Sequence, residues 1–522
     1  ATENMKTLKY IIGAFVFAAG LTACVGDLDV TPIDPSVNTA DKAFTSEDDF
    51  VSFLAQCYAG FTHSGSYGPN GDNNIKNVDG GFSQYCGGRY HLNGLTTDEA
   101  VCGWNDQTLQ DLHGLNWTTS DVFVAAFYYR IAYQISACNE FIRQAGKATI
   151  DLPKKDQWIA EARALRAFCW LDAIDNYGGF PYADETNSVG STAPEYKSRE
   201  QLFEYVETEC KDLLENSALY DYGQGEYGRV NKGMVAMVLA KLYLNAEVYV
   251  GQAKYAECAA VLKNLEGKYN LHTNTHGTGN NAYQELFLAD NDKCTDELIF
   301  VIEQNGTQTA SYGATNYLIF ASTGDTMDPA AVGISSGWGG IRTTPEFYGM
   351  FDAADQRELF WEEGHSLSID DISTFSNGIG FQKFKNVMSD GGAASDKGFV
   401  DVDFPVFRYA DALLMLAECE LKGVNCGGKA AFDKVRARAG MPAIELNAEN
   451  LLEERGRELY LEGWRRSDLV RFGKFTSDSF VWQWKGGVKD GQGCPAHMAL
   501  FPIPDSDRYA NTNLEQNPGY GA

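Results

Sequence analysis

The chain has few cations and no long apolar runs, and both shortages exclude a class of protein. Lysine and arginine number 42 against 71 acidic residues, which gives a formal charge of −29. Nucleic-acid binders need clustered cations to contact phosphates, so that class is excluded. No apolar stretch reaches the roughly 20 residues that a membrane-spanning helix needs. We therefore expect a folded body that lies outside the bilayer.

Recognisable catalytic motifs are also scarce. The sequence has no P-loop and no H-E-x-x-H motif, and its seven histidines are scattered. Residues 333–337 fit G-x-S-x-G by letter, but a nucleophile elbow needs a strand before it and a helix after it. Pro329 lies upstream and two glycines follow Trp338, so a plain loop is favoured. No pair of carboxylates is singled out as a glycosidase site, and we predict that the protein is not an enzyme.

The 12 cysteines form no framework that the sequence can pair, and none makes a C-x-x-C motif. Cys138, Cys169, Cys258 and Cys419 fall on the apolar faces of predicted helices, which favours buried free thiols. The spacing of cysteine and histidine along the chain gives no zinc-site pattern. We therefore expect no zinc site.

The N-terminus carries a secretory signal. Lys6 and Lys9 precede an apolar stretch at 10–20 that is too short to span a membrane. It ends in LTAC at 21–24, a lipobox in which Cys24 would be acylated and anchor the protein. The alternative is an ordinary signal peptide with a coincidental cysteine. Asp27 and Asp29, shortly after Cys24, resemble an export signal to the cell surface, so we expect a surface-exposed lipoprotein of the outer membrane.

Helical periodicity dominates two blocks of the chain and predicts a mainly α fold. A weak helix–turn–helix repeat of about 34 residues indicates a tetratricopeptide-like scaffold of helix pairs. The predicted helices span 45–60, 121–146, 155–175, 200–217, 231–250, 252–266, 405–422, 428–438 and 449–471.

The segments between these helices are rich in Gly, Asn, Asp and Ser, with few short strands such as 297–302. Long loops on an ordered scaffold are usually functional, so we expect one ligand face rather than separate domains. The predicted organisation is 1–23 as signal and upstream residues, 24–44 as lipidated cysteine and tether, and 45–522 as one domain. Within it, 45–61, 119–266 and 405–475 are scaffold, and 62–118 and 270–400 are ligand-face loops.

Three aromatic residues in these loops are candidates for sugar binding. Trp104, Tyr312 and Trp338 each stand beside polar residues or glycine rather than in an apolar stripe. The C–H faces of sugars stack on aromatic planes, although each of these rings taken singly is equally well explained as a core residue. The pattern favours a carbohydrate-binding surface.

Several longer motifs resemble the SusD/RagB family of outer-membrane nutrient-binding lipoproteins, and the resemblance covers nearly the whole mature chain. The motifs are DLDVTP at 27–32, EARALRA at 161–167, NYGGFP at 176–181, GRVNKG at 228–233, FRYADALLM at 407–415, VRARAG at 435–440, EGWRRSDLVR at 462–471, LFPIP at 500–504 and NPGY at 517–520. The resemblance implies four tetratricopeptide-like helix pairs, a loop-built ligand face and a SusC-type TonB-dependent transporter as partner.

Within the family the chain is most similar to starch-binding members. That similarity implies α-glucan stacking on Trp104, Tyr312 and Trp338 and a hydrogen bond from Gln107. Gln107 replaces an asparagine of the starch binders, and Cys102 replaces a second tryptophan. Dextran or fructan binding, a RagB-like peptide binder and, less favoured, a surface glycoside hydrolase remain as alternatives.

The same similarity implies a structural calcium ion. The matching positions are Asp292, Asp401 and Asp403. Calcium takes six to eight oxygen ligands, and the Asp-x-Asp pair supplies two neighbouring carboxylates. From spacing alone, a solvated acidic loop is equally compatible.

Overall fold

The structure is a computed structural model, and it describes residues 43–65, 68–69, 73–76, 78–187, 193–277 and 279–521. The signal, the lipobox with Cys24 and most of the tether lie outside these residues, so the lipid anchor stays a prediction. In the described part of the chain, no helix combines the length and apolarity that crossing a membrane requires.

The α-helices occupy most of the two blocks that the periodicity indicates. In chain order they are α1 (Glu47–Ala59), α2 (Tyr85–Asn93), α3 (Gln107–Gly114), α4 (Val122–Lys147), α5 (Lys155–Tyr177), α6 (Arg199–Asn216), α7 (Lys232–Leu244), α8 (Ala246–Val250), α9 (Tyr255–Leu262), α10 (Ala282–Glu285), α11 (Ala314–Ser322), α12 (Pro345–Tyr348), α13 (Tyr409–Leu421), α14 (Gly428–Arg438), α15 (Ala448–Leu459), α16 (Arg465–Arg471) and α17 (Asp505–Ala510).

The strands are short and form small antiparallel sheets. They are β1 (Val101–Cys102), β2 (Phe180–Tyr182), β3 (Glu195–Lys197), β4 (Leu298–Ile302), β5 (Ile341–Thr343), β6 (Phe360–Trp361), β7 (Ile379–Phe381) and β8 (Phe404–Arg408). One sheet has the order β1-β5-β7-β6, and two further sheets pair β2 with β3 and β4 with β8. The mainly α fold with few short strands confirms the predicted fold class.

Side-chain caps fix where the scaffold helices begin. Ser46 and Asp49 form a capping box at α1. Asp121 accepts hydrogen bonds from the backbone N–H groups of Phe123 and Val124 at the start of α4, both at 2.9 Å. Such caps satisfy N–H groups that have no partner within the helix, each contributing about 1 kcal/mol.

Two helix predictions and one loop prediction need correction. Residues 405–408 belong to strand β8, because they pair with β4 inside the core. The long helix predicted over 449–471 is two helices, α15 and α16, and the break contains Leu461 with a φ of 61°, which no α-helix tolerates. The stretch 62–118, predicted as loop, contains helices α2 and α3.

Packed helix pairs form the scaffold. Helix α4 packs on α5, α6 on α7, α13 on α14, and α15 on α16, while α9 lies between α7 and α13. Trp170 on α5 is wholly buried in the core that these helices share. The four cysteines predicted as buried thiols, Cys138, Cys169, Cys258 and Cys419, are buried and unbridged.

A buried ionic network ties the strands to the C-terminal helices. Arg408 on β8 donates to Glu297 at 2.6 Å and to Glu458 on α15 at 2.9 Å. Arg357 reaches the same Glu458 at 3.2 Å, and Arg438 on α14 also donates to it. Buried charges need such pairing, because removing one partner leaves the others desolvated and unpaired.

Candidate functional site

Strand pairing brings two of the three predicted rings together. Val101 and Cys102 of β1 pair antiparallel with Arg342 and Ile341 of β5. In an antiparallel pair, the residues after one strand lie beside those before the other. Trp104 follows β1 and Trp338 precedes β5, and the ring centroids lie 6.3 Å apart.

Tyr312 completes the group on the other side of Trp338. It lies just before helix α11, and its ring is 5.9 Å from that of Trp338, in a T-shaped arrangement. All three side chains are half-buried, with Trp338 between the other two. We call Trp104, Tyr312 and Trp338 the aromatic cluster.

A second layer of rings supports the aromatic cluster from the core. Phe320 on α11 lies 4.9 Å from Trp338, and Tyr317 lies 6.0 Å from Trp104. Both supporting rings are buried. The cluster is therefore backed by packed core and cannot easily collapse inward.

Backbone hydrogen bonds fix the segment that carries Trp338. The backbone N–H of Trp338 donates to the carbonyl of Phe320 at 2.7 Å, and that of Gly340 donates to Ala321 at 2.7 Å. A Cβ atom on Gly340 would lie 2.8 Å from the ring of Trp104. Position 340 therefore requires glycine for Trp104 to keep its place.

Arg342 holds a neighbouring loop against the cluster. This fully buried guanidinium donates to four backbone carbonyls, those of Gly340, Ile372, Thr374 and Asn377, at 2.6–3.1 Å. Burial lowers the pKa of Arg342 to about 10, so the group stays charged at neutral pH. Charged donors make the stronger hydrogen bonds, and these position the loop that contains Phe375.

Two further rings border the cluster and were not singled out from the sequence. The ring of Tyr312 lies 5.4 Å from that of Phe399. Phe375 packs on Gly324 and Gly339, where added Cβ atoms would lie 2.3 and 3.7 Å from its ring. Both phenylalanines stand among Ser, Thr, Gly or Asp. The rule that selected the other three rings would have selected these as well.

Gln107 and Cys102 occupy different environments. Gln107 is exposed at the first position of α3, where its amide donates to Asp111 at 2.9 Å. Cys102 is buried in β1. Its thiol therefore lies in the core, beneath the surface that carries Trp104.

The carboxylates predicted to bind calcium fall into two settings. Asp403 is buried and accepts from Tyr227 and from the backbone N–H of Gln304, both at 2.7 Å. Burial raises the pKa of Asp403 to about 7, and repulsion from Glu303 and Asp292 adds to this effect. Asp401 instead accepts from Ser395 and from the backbone N–H of Gly306, at 2.6–2.8 Å.

The carboxylates of Asp292, Glu303 and Asp403 are near enough to repel one another. Among the described residues they do not form a group whose ligand atoms lie within 4.8 Å of one another, so a bound cation would have to draw them closer. A divalent cation would neutralise their repulsion. Glu303 was missed from the sequence, although the pairing of Ile302 with Phe404 places it beside Asp403. Calcium itself stays a prediction, as does its contact with Asp401.

Two motif-like stretches lack the surroundings that catalysis or phosphate binding needs. The G-x-S-x-G stretch at 333–337 follows a 3₁₀ helix at Pro329–Val332 rather than a strand. A G-x-G-x-x-G spacing at 223–228, overlooked in the sequence, follows helix α6 rather than a strand. Neither has the strand–turn–helix setting that its motif requires.

The scaffold and the cluster define the class: a mainly α protein of packed helix pairs whose loops carry a half-buried aromatic cluster. The sequence is 31% identical to the starch-binding protein SusD of Bacteroides thetaiotaomicron, over 99% of this chain and 100% of that protein. Residues 367–520 match the SusD family. The chain therefore belongs to the SusD family.

Other relatives share the fold at lower identity. The SusD-like protein P2 of Formosa agariphila is 25% identical over 80% of this chain and 83% of its own. Surface glycan-binding protein A of Bacteroides thetaiotaomicron, solved with laminarihexaose, superposes with a TM-score of 0.69 at 19% identity, covering 91% of this chain and 100% of its own. A laminarin-binding SusD-like protein gives a TM-score of 0.68, also at 19% identity, with coverage of 91% and 100%.

Proposed function

We propose that the protein is a cell-surface lipoprotein that binds α-glucan, such as starch or maltooligosaccharides, and is not an enzyme. The observation that carries the proposal is the aromatic cluster, three half-buried rings on one face with centroids 5.9 and 6.3 Å apart. Such neighbouring rings offer successive stacking planes to a sugar chain. The 31% identity to a starch-binding protein supports α-glucan over other glycans.

The preformed geometry supports selection of the ligand by shape. Trp104 donates its indole N–H to the carbonyl of Trp338 at 3.1 Å, so its ring is already oriented without ligand. A preorganised site loses little conformational entropy on binding. Gln107 is exposed and lies three positions after Trp104, and its side chain would hydrogen-bond a sugar hydroxyl.

Delivery to a SusC-type TonB-dependent transporter completes the proposed role. Family membership and the lipobox at 21–24 support an outer-membrane location beside such a transporter. Acyl chains on Cys24 would anchor the protein, and the helical body would present the cluster to incoming glycan.

Affinity electrophoresis of the soluble protein lacking residues 1–24 tests the proposal. Gels containing amylopectin, dextran, levan or xylan compare the parent with Trp104→Ala and Trp338→Ala. Trp361→Ala is the matched control, because this half-buried tryptophan of β6 lies outside the cluster. We expect retardation in amylopectin that both cluster variants abolish and the control keeps.

Other outcomes separate the alternatives. Retardation only in dextran, levan or xylan would identify that polymer, and not α-glucan, as the ligand. Binding that survives both cluster substitutions would point to a peptide-type or other ligand on a different surface. Release of reducing ends from amylopectin by the purified protein would show a glycoside hydrolase.

A further inference from the structure

A group of nitrogen and sulfur donors lies away from the aromatic cluster. His272 and His276 belong to the segment before α10, and Cys294 follows the 3₁₀ turn Asn291–Lys293. One donor atom from each residue lies within 4.8 Å of the other two. Among the described residues, this is the one such group of three or more His, Cys, Asp or Glu side chains.

One histidine nitrogen in this group is buried and has no hydrogen-bond partner. His272 is 2% exposed, and its Nε2 atom makes no hydrogen bond, although a carboxylate oxygen of Glu285 lies 3.5 Å from it. Its Nδ1 lies 2.8 Å from a carboxylate oxygen of Asp296. A proton on Nδ1 therefore bonds to Asp296 and leaves the Nε2 lone pair directed into the group. A carboxylate behind the distal nitrogen is the usual support of a metal-binding histidine.

His276 repeats the same arrangement. Its Nδ1 lies 3.0 Å from Glu285, whose carboxylate also accepts from the backbone N–H groups of His276 and Gly277. The two imidazole rings stack at 5.3 Å with an interplanar angle of 13°. In the tautomer with a proton on Nδ1, the Nε2 lone pair of His276 would be available to a metal ion. Two histidines, with Asp296 beside the first and Glu285 beside both, thus lie next to a buried free thiol.

We propose that His272, His276 and Cys294 bind one Zn²⁺ ion, with water as the fourth ligand. Two imidazoles and a thiolate suit zinc, whereas calcium and magnesium prefer oxygen ligands. Zinc bonds of about 2.1 Å to nitrogen and 2.3 Å to sulfur place donors about 3.5 Å apart. His276 is exposed, so rotation of its side chain closes the group.

The site would join the 272–276 segment to the turn that ends at Cys294. The backbone N–H of His272 donates to Glu297 at 2.8 Å, and Glu297 pairs with Arg408 in the core. Zinc would therefore lock a surface segment onto the buried ionic network, as structural zinc sites do. The ligand spacing H-x₃-H-x₁₇-C matches no common zinc motif, which explains why the sequence predicted no zinc site.

Zinc binding to the soluble chain, freed of any polyhistidine tag and of metal, tests the proposal. Competition with a chromophoric chelator under reducing conditions gives the affinity, and elemental analysis gives the stoichiometry. We expect one tightly bound Zn²⁺, weakened at least 100-fold in Cys294→Ser and His276→Ala. Asp296→Asn, behind His272, should weaken binding roughly 10- to 100-fold. Co²⁺ should give a thiolate charge-transfer absorption band that Cys294→Ser removes.

Matched controls isolate the site. Cys426→Ser removes a half-buried thiol elsewhere, and His497→Ala removes a half-buried imidazole that packs on Tyr520. Both should keep the affinity for Zn²⁺ and the cobalt band. Zinc binding that is equal in the parent and in Cys294→Ser and His276→Ala would overturn the proposal, as would a chain that binds no Zn²⁺.

Discussion

The indole N–H of Trp104 donates to the backbone carbonyl of Trp338 at 3.1 Å, across 234 positions of sequence. This bond joins the end of one strand to the start of its antiparallel partner. The backbone of Trp338 thus orients the ring of Trp104. The aromatic cluster is thus part of the sheet edge, and changes to that edge should alter glycan binding.

Gly340→Ala tests this coupling without removing any ring. The added methyl group would lie 2.8 Å from Trp104, so the indole must move and lose its bond to Trp338. Loss of one well-placed stacking surface costs about 2 kcal/mol, or roughly 30-fold in affinity. Isothermal titration with a maltooligosaccharide measures the change.

Gly146→Ala is the matched control for this substitution. Gly146 lies in α4, and a methyl group there would meet no atom within 4 Å. Its affinity should equal that of the parent, and its stability should rise slightly. Unchanged affinity in Gly340→Ala would contradict the view that the strand edge positions Trp104.

Much of the cluster could be predicted from the sequence, because surface rings among polar residues stand out locally. Trp104, Tyr312 and Trp338 were chosen on that rule, and the structure brings them together. Arg342 could not be found in this way. Its role depends on carbonyls of 372–377, and sequence patterns do not show which backbone oxygens meet a buried guanidinium.

Arg342→Met should loosen the loop that carries Phe375. Four backbone carbonyls would lose their charged donor, at a cost of about 3 kcal/mol in the free energy of unfolding. Urea denaturation followed by tryptophan fluorescence measures this loss. Arg163→Met, which breaks half-buried ion pairs with Glu209 and Asp212, serves as the comparison and should cost less. Equal losses in both variants would contradict the role given to Arg342.

Calcium should stabilise the fold through Asp292 and Asp403. A ligand that binds only the folded state at 100 times its dissociation constant adds about 2.7 kcal/mol. We therefore expect chelation with EGTA to lower the Tm by a few degrees, and Asp292→Asn to remove that sensitivity.

Asp401→Asn separates the two settings of the carboxylates. If Asp401 only accepts hydrogen bonds from Ser395 and Gly306, this variant keeps its response to calcium while losing some stability. Loss of the response would instead make Asp401 a ligand. If EGTA does not change the Tm of the parent protein, the proposed calcium site is wrong.

The helix boundaries show the limit of periodicity as a predictor. Residues 405–408 are apolar enough for a helix or a strand, and only pairing with β4 decides between them. Glu303 was missed for the same reason, since it follows β4 and its neighbour Asp403 directly precedes the partner strand β8. Long-range pairing settles both cases, and a single sequence does not display it.

The buried ionic network makes stability depend on pH through Glu458. Arg438, Arg408 and Arg357 outweigh the cost of burial and lower the pKa of Glu458 to about 2, against 4.5 ordinarily. Between pH 2 and pH 4.5 the folded state therefore binds fewer protons than the unfolded state. The stabilisation, about 3 kcal/mol, is complete above pH 4.5 and is lost as pH falls towards 2.

Glu458→Gln should cost about 3–5 kcal/mol at pH 7, because three buried arginines lose a partner. The difference from the parent should shrink as pH falls from 4.5 towards 2, where the parent carboxylate also becomes neutral. Glu449→Gln, on the exposed first turn of the same helix, should change stability by less than about 1 kcal/mol. Chemical denaturation at pH 7, 4 and 3 measures all three proteins. A difference between Glu458→Gln and the parent that stays constant across this range would mean that the carboxylate charge does not stabilise the network.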